Sequence, residues 1–270
     1  MKKKHNQGFS LVELVIAVAI LAIIMVAIAS FMTSTTKSYN RAKNDAQLQQ
    51  TGQELFDMIS DKVMQAKEIR IGRDGKEYAI LGTNLSTQEN NAGQLLKEDG
   101  SPASTSGSGY ELYSYRMLTP EDTDIDYICI CYEGMNTFGG KTGYGPIVDV
   151  YYFDSGNVYL KRNTGGVRNS SLDKSTDGSP VETLDNDNSR VNRDNMINTS
   201  IDDWASVINK DDYLVCKNIE NVYAYSVADE NAIYLQIDLG KKGIENVSQG
   251  MITIRNSYVL QPAGYQPPTP

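Results

Sequence analysis

Nineteen residues without a charge, Leu14 to Met32, run through the stretch "GFSLVELVIAVAILAIIMVAIASFM", and a single glutamate, Glu13, stands directly before them. At about 1.5 Å per helical residue the run spans roughly 28 Å, close to the thickness of a bilayer's hydrocarbon core. Glu13 is the anomaly in it. An isolated carboxylate at such a place costs at least a few kcal/mol, so it calls for a function and a partner. Lys2, Lys3 and Lys4 all precede the run. By the positive-inside bias they keep the N-terminus cytoplasmic and send the C-terminal body outward.

The charge of that body narrows its partners. The whole chain carries −9, and without its three N-terminal lysines the side chains number 22 Lys/Arg against 34 Asp/Glu, which is −12. An acidic surface repels phosphate backbones, so direct nucleic-acid binding is not expected. Enzyme signatures are not found: there is no G-x-S-x-G, P-loop or H-E-x-x-H, and the one histidine, His5, lies in the basic leader. The expected class is therefore non-enzymatic.

From Thr33 the chain turns polar with no proline before Pro102. Leu48, Leu55, Ile59, Val63, Ala66 and Ile69 recur at helical spacing, so the sequence predicts an amphipathic segment at 33–71 that continues the stem helix of 9–32. One helix from about Phe9 to about Ile71 would be on the order of 90 Å long. Gly52 interrupts the stripe. A β-rich head is expected over 72–261, from the Tyr-, Ile- and Val-rich runs "YELYSYRML", "DYICICYE", "PIVDVYYF", "NVYLKRN", "NVYAYSV", "AIYLQIDL" and "MITIRNSYVL". The polar links Asp154–Asn157 and Ala228–Asn231 predict antiparallel hairpins. The fold class is thus α+β, with a long N-terminal helix packed on an antiparallel β-rich head. A loop at about 163–200 and a Pro-rich tail at 262–270 complete the plan.

Cys129 and Cys131 alternate with isoleucines and so share one face of a strand, where they cannot close an unstrained bond with each other. Either can pair with Cys216 if the fold brings it near; buried free thiols are the reading taken here. A zinc site lacks ligands. Four N-x-S/T sequons, at Asn84, Asn169, Asn198 and Asn246, carry no functional weight.

The N-terminal residues "KKKHNQG", then "FSLVEL", then the apolar run resemble the class III signal of type IV pilins and pseudopilins. The match covers about the first 32 residues. The resemblance implies a cut between Gly8 and Phe9 by a membrane-embedded prepilin peptidase, leaving an N-methylated Phe9. It also implies that Glu13 meets the terminal amine of a neighbouring subunit and sets the register of assembly, while Leu14, Val15, Ile16, Leu21, Ile24 and Met32 line the membrane stem. Other pilin or pseudopilin subunits, an assembly platform and its ATPase become the expected partners. The protein would be a single-pass membrane protein, with its head outside the cytoplasm, later assembled into a filament. By size and strand order the head looks like the larger minor pilins and pseudopilins of the PilW and GspJ type. Some pseudopilins hold calcium, which makes Asp185 and Asp187 of "LDNDNS" the candidate ligands; a solvated loop without cofactor is the reading preferred.

Two other readings of the same residues stay open. An ordinary secretory signal would be cut before Ser30, after "AIA" at Ala27–Ala29. An uncut signal anchor would hold an extracellular binding or sensory domain at the membrane.

Overall fold

The computed structural model describes residues 10–81, 88–89, 95–96, 111–114, 124–138, 141–165, 196–227 and 232–255. Two compact units are present, Met1–Gln47 and Leu48–Pro270.

Helix α1 runs from Leu11 to Gln65. Its start is rich in leucine, isoleucine and alanine, and no proline interrupts it. In the first unit all of its side chains lie open apart from a half-covered Asn44; in the second, Leu48, Gly52, Leu55, Ile59 and Val63 are buried. The helix stops six residues short of the expected end at Ile71, because Ala66–Arg73 forms strand β1. The physical reason lies in the period. Beyond Gln65 the isoleucines Ile69 and Ile71 alternate with Glu68 and Arg70, the pattern of a strand, while Ala66 and Ile69 also fit the helical stripe. Either way these side chains enter the same core, so burial alone did not separate the two patterns.

Strands β1 and β2 (Lys76–Leu81) form a hairpin through Asp74 and Gly75, both at positive φ (49° and 72°). That is the type I′ geometry for which Asp-Gly is a strong signal. The Ser155–Gly156 turn repeats it between β7 (Lys141–Asp154) and β8 (Asn157–Thr164), as expected from "DSGN". With β5 (Glu111–Ser114), β6 (Tyr127–Phe138) and β9 (Leu214–Lys217) they build a seven-stranded sheet in the order β5-β2-β1-β6-β7-β8-β9. Only β5, beside β2, is parallel to its neighbour. The short β3 (Gln88–Glu89) and β4 (Leu95–Leu96) pair with each other.

A second sheet has three strands, β10 (Ile219–Val227), β11 (Ala232–Lys241) and β12 (Ile244–Thr253), all antiparallel. The hairpin expected around 228–231 is present as the β10–β11 pair, although its turn lies outside the described residues. The last strand begins earlier than "MITIRNSYVL" predicts. Its N-terminal half, "IENVSQG", reads polar because alternate residues face solvent at a sheet edge. Residues 256–270, and with them the Pro-rich tail, lie outside the described residues.

The seven-stranded sheet is buried on both faces. On one, Ile69, Ile71, Ile128, Ile130, Tyr151 and Val158 meet Leu55, Ile59 and Val63 of α1 and Leu235, Ile237 and Leu239 of the second sheet. On the other, Tyr127, Cys129, Cys131, Val148, Val150 and Tyr152 are covered by Ile197, Ile201 and Val207. The covering residues come from helical turns at 196–202 and Trp204–Val207. The expected loop of 163–200 thus ends as packed structure: Ile197 and Ser200 are buried, and the Tyr152 hydroxyl donates to the Ser200 carbonyl. Asp185 and Asp187 fall outside the described residues. Cys216 belongs to the first face and Cys129 and Cys131 to the second, so the sheet separates them and all three are free thiols. Burial pushes the Cys216 thiol up to about 11 and Cys129 well above its usual value.

Gly52 proves to be a point of contact rather than an interruption. A Cβ there would stand 2.6 Å from Ser248 Oγ and 2.7 Å from Leu239 Cδ1, so the glycine lets the helix lie close on β11 and β12. Gly52→Leu is expected to destabilise the head by about 1–3 kcal/mol through overpacking. Urea unfolding followed by the fluorescence of Trp204, the chain's one tryptophan, measures it; an unchanged midpoint would mean the helix stands off the sheet.

Candidate processing and assembly site

Ser10 precedes the first residue of α1, and its backbone N–H donates to Glu13 Oε2 at 3.0 Å. The Leu14 N–H donates to the Ser10 carbonyl at 3.2 Å. Ser-x-x-Glu before an apolar helix is a capping box, in which the glutamate returns to the N-cap amide and satisfies a donor the helix leaves open. Its negative charge also sits at the positive end of the helix dipole. The pattern "SLVE" was legible in the sequence, and reading Glu13 only as a stranded charge missed it. The glutamate lies exposed at the edge of the apolar run.

Behind it the stem offers lipid-like surface all round. Leu14, Val15, Ile16, Leu21, Ile24 and Met32 are each exposed, as are Leu11, Ile20, Ile23 and Phe31. Among the described residues α1 is the one helix long and apolar enough to cross a membrane. Apolar surface on this scale does not persist in water; lipid or other apolar helices must cover it. Gly8 and Phe9 lie outside the described residues.

The head has two ionic clusters built on buried carboxylates. Arg70 Nε donates to Glu68 Oε1 at 2.7 Å, and Nη1 donates to Glu77 Oε1 at 3.1 Å and to Asn198 Oδ1 at 3.0 Å. Tyr127 lies across Gly72, where a Cβ would strike its ring, and its hydroxyl donates to Glu77 Oε2 at 3.1 Å. Desolvation raises the Glu77 carboxyl above its usual range, outweighing the attraction of Arg70. The second cluster is a bidentate pair in which Arg162 Nε and Nη2 each donate at 2.7 Å to Asp149, which also accepts from the Tyr132 hydroxyl. Both join secondary-structure elements to one another. Among the described residues no three His, Cys, Asp or Glu side chains converge as a metal site. Asn198, one of the four sequon asparagines, is occupied by Arg70 and is half-buried.

Residues 3–29 match the prokaryotic N-terminal methylation motif, the class III signal of type IV pilins. The chain therefore carries the N-terminal signal of a pilin-like or pseudopilin precursor, membrane-anchored through the apolar helix that follows. Such a motif implies processing by prepilin peptidase and association with other pilin subunits, and it marks structural proteins rather than enzymes. No curated protein and no solved structure matches the chain.

Proposed function

We propose that the protein is a minor pilin or pseudopilin, a non-catalytic subunit of a type IV pilus-like filament. One observation carries the reading: the methylation motif at residues 3–29 overlaps an exposed apolar helical run, Leu14–Met32, in a chain whose other unit is a β-rich head. Prepilin peptidase cuts between Gly8 and Phe9, and Phe9 becomes the methylated terminus. The stem holds the subunit in the membrane with its head outside the cytoplasm until an assembly ATPase, acting through a platform protein, extracts it into the filament. Glu13 then exchanges its own cap for the cationic amine of a neighbour.

The test is the N-terminal sequence and intact mass of protein recovered from its own membranes. A chain that begins at methylated Phe9 is expected, with Gly8→Val retaining its eight-residue leader. A start at Ser30 would make it a secreted protein. An intact Met1 beside an active peptidase would make it an anchored binding or sensory domain.

A further inference from the structure

The segment of α1 just beyond the apolar run has a composition unlike the rest of the chain. Thr33 and Thr36 close the end of the run, their hydroxyls donating to the Ala29 and Met32 carbonyls at 2.9 and 2.8 Å. Next come Lys37, Tyr39, Arg41 and Lys43, all exposed, with Tyr39 at 66%. Residues 33–47 hold three cations and one acid, Asp45, whereas from Leu48 onward there are 19 Lys/Arg against 32 Asp/Glu. The cations are therefore a local concentration on an acidic protein.

Position and distribution indicate what they meet. At about 1.5 Å per residue Lys37 lies roughly 7 Å beyond Met32 and Arg41 roughly 13 Å. A headgroup layer is about 5–8 Å deep, and long cationic side chains snorkel back toward it. At about 100° per residue Lys37 and Arg41 share one side of the helix while Tyr39 and Lys43 share nearly the opposite side. A protein partner seated on one side would reach half of this set; a surrounding layer of headgroups is open to both sides, with Lys43, roughly 16 Å beyond Met32, at its outer limit. Tyrosine beside cations is also the usual furnishing of a helix at the membrane–water interface. Once the leader is cut, no lysine or arginine of the mature chain stands before the apolar run. The remaining cations of the stem then gather at its outer end, against the positive-inside bias.

We propose that Lys37, Arg41 and Lys43, with Tyr39, form a ring that binds the phosphate headgroups of anionic phospholipids at the end of the span beyond Met32, and so fixes the depth of the stem. That this end faces outward rests on the reading under Proposed function. Lys37 is 24 residues from Glu13, about 36 Å along the helix, so the ring at one interface holds Glu13 at the other.

The experiment compares the full chain with K37Q/R41Q/K43Q in vesicles of mixed phosphatidylglycerol and phosphatidylcholine. Native mass spectrometry of the extracted protein counts the lipids retained. Cationic side chains near an anionic surface each contribute enough that three should enrich phosphatidylglycerol at least about tenfold over its bulk ratio, less at high salt. In the triple variant the enrichment should fall to near the bulk ratio, while K241Q/K242Q on the head turn keeps it. Unchanged Trp204 fluorescence checks folding. The proposal is overturned if the triple variant holds the wild-type lipid ratio, or if it keeps its lipids and instead loses crosslinking between subunits, which would assign the ring to a protein partner. The N-terminal sequence of the same samples is scored separately: a start other than Phe9 sinks the pilin reading while leaving the lipid result to stand or fall by itself.

Discussion

Arg70→Met is expected to destabilise the head by about 3–5 kcal/mol, enough to unfold a marginal domain. Glu68 and Glu77 are 2% and 0% exposed, and Arg70 stands within hydrogen-bonding distance of both, with Asn198 on the covering helical turn as its third partner. Methionine fills the space but leaves two carboxylates in the dry interior, where a charge without its counter-ion is among the costliest arrangements a fold can hold. Urea melts monitored at Trp204 read the loss directly, and a loss under about 1 kcal/mol at neutral pH would show that water reaches the cluster.

Acid should narrow that gap, and the sign follows from Glu77. Burial holds its carboxyl above the usual range, so the native state binds the proton more tightly than the unfolded chain does. The stability that protonation confers is fully present below the ordinary glutamate range and is lost as pH rises through the raised value. The wild type should therefore gain stability on acidification across that window. Glu77→Gln, which keeps an oxygen for Arg70 or Tyr127 and removes the charge, should flatten that part of the profile at a cost well below that of Arg70→Met. Equal slopes in wild type and Glu77→Gln would assign the pH dependence to other groups, such as Asp126, which burial also raises.

The clusters were hidden for the same reason that the stem was plain. A run of nineteen uncharged residues is long enough to cross a bilayer, so a candidate membrane helix was legible in the sequence alone. The β-branched and tyrosine-rich runs likewise announced the sheet, and "DSGN" its hairpin. Nothing in the sequence marks Glu68, Arg70 and Glu77 as buried, because burial is decided by what covers a strand, and their cover, the segment 196–208 that includes Asn198, is distant in sequence; Asp149, on the opposite face beside Tyr132, depends in the same way on what packs over it. Gly52 was misread for a related reason: a glycine in a helix costs about 1 kcal/mol until the partner that needs its missing Cβ is known. At the N-terminus the methylation motif and the capping box share Glu13. The sequence shows both patterns but not which contact the carboxylate makes at a given stage.

That ambiguity is resolved by a pair of substitutions. Glu13→Gln keeps an oxygen for the Ser10 amide, so the capping box and the start of α1 survive; Glu13→Ala removes the bond as well. If Glu13 serves only as a cap, glutamine should behave as wild type and alanine should cost the helix about 1 kcal/mol. If it pairs with the amine of a neighbouring subunit, both variants leave that amine uncompensated among apolar stems, a loss of about 3–5 kcal/mol or more than a hundredfold in incorporation. We expect the second result: Glu13→Gln and Glu13→Ala subunits, both processed at Gly8, accumulate in the membrane and are nearly absent from sheared filaments of cells that also make the wild-type protein. Glutamine subunits that enter filaments at the wild-type level would return Glu13 to the role the isolated chain displays, a carboxylate closing the first turn of its own helix.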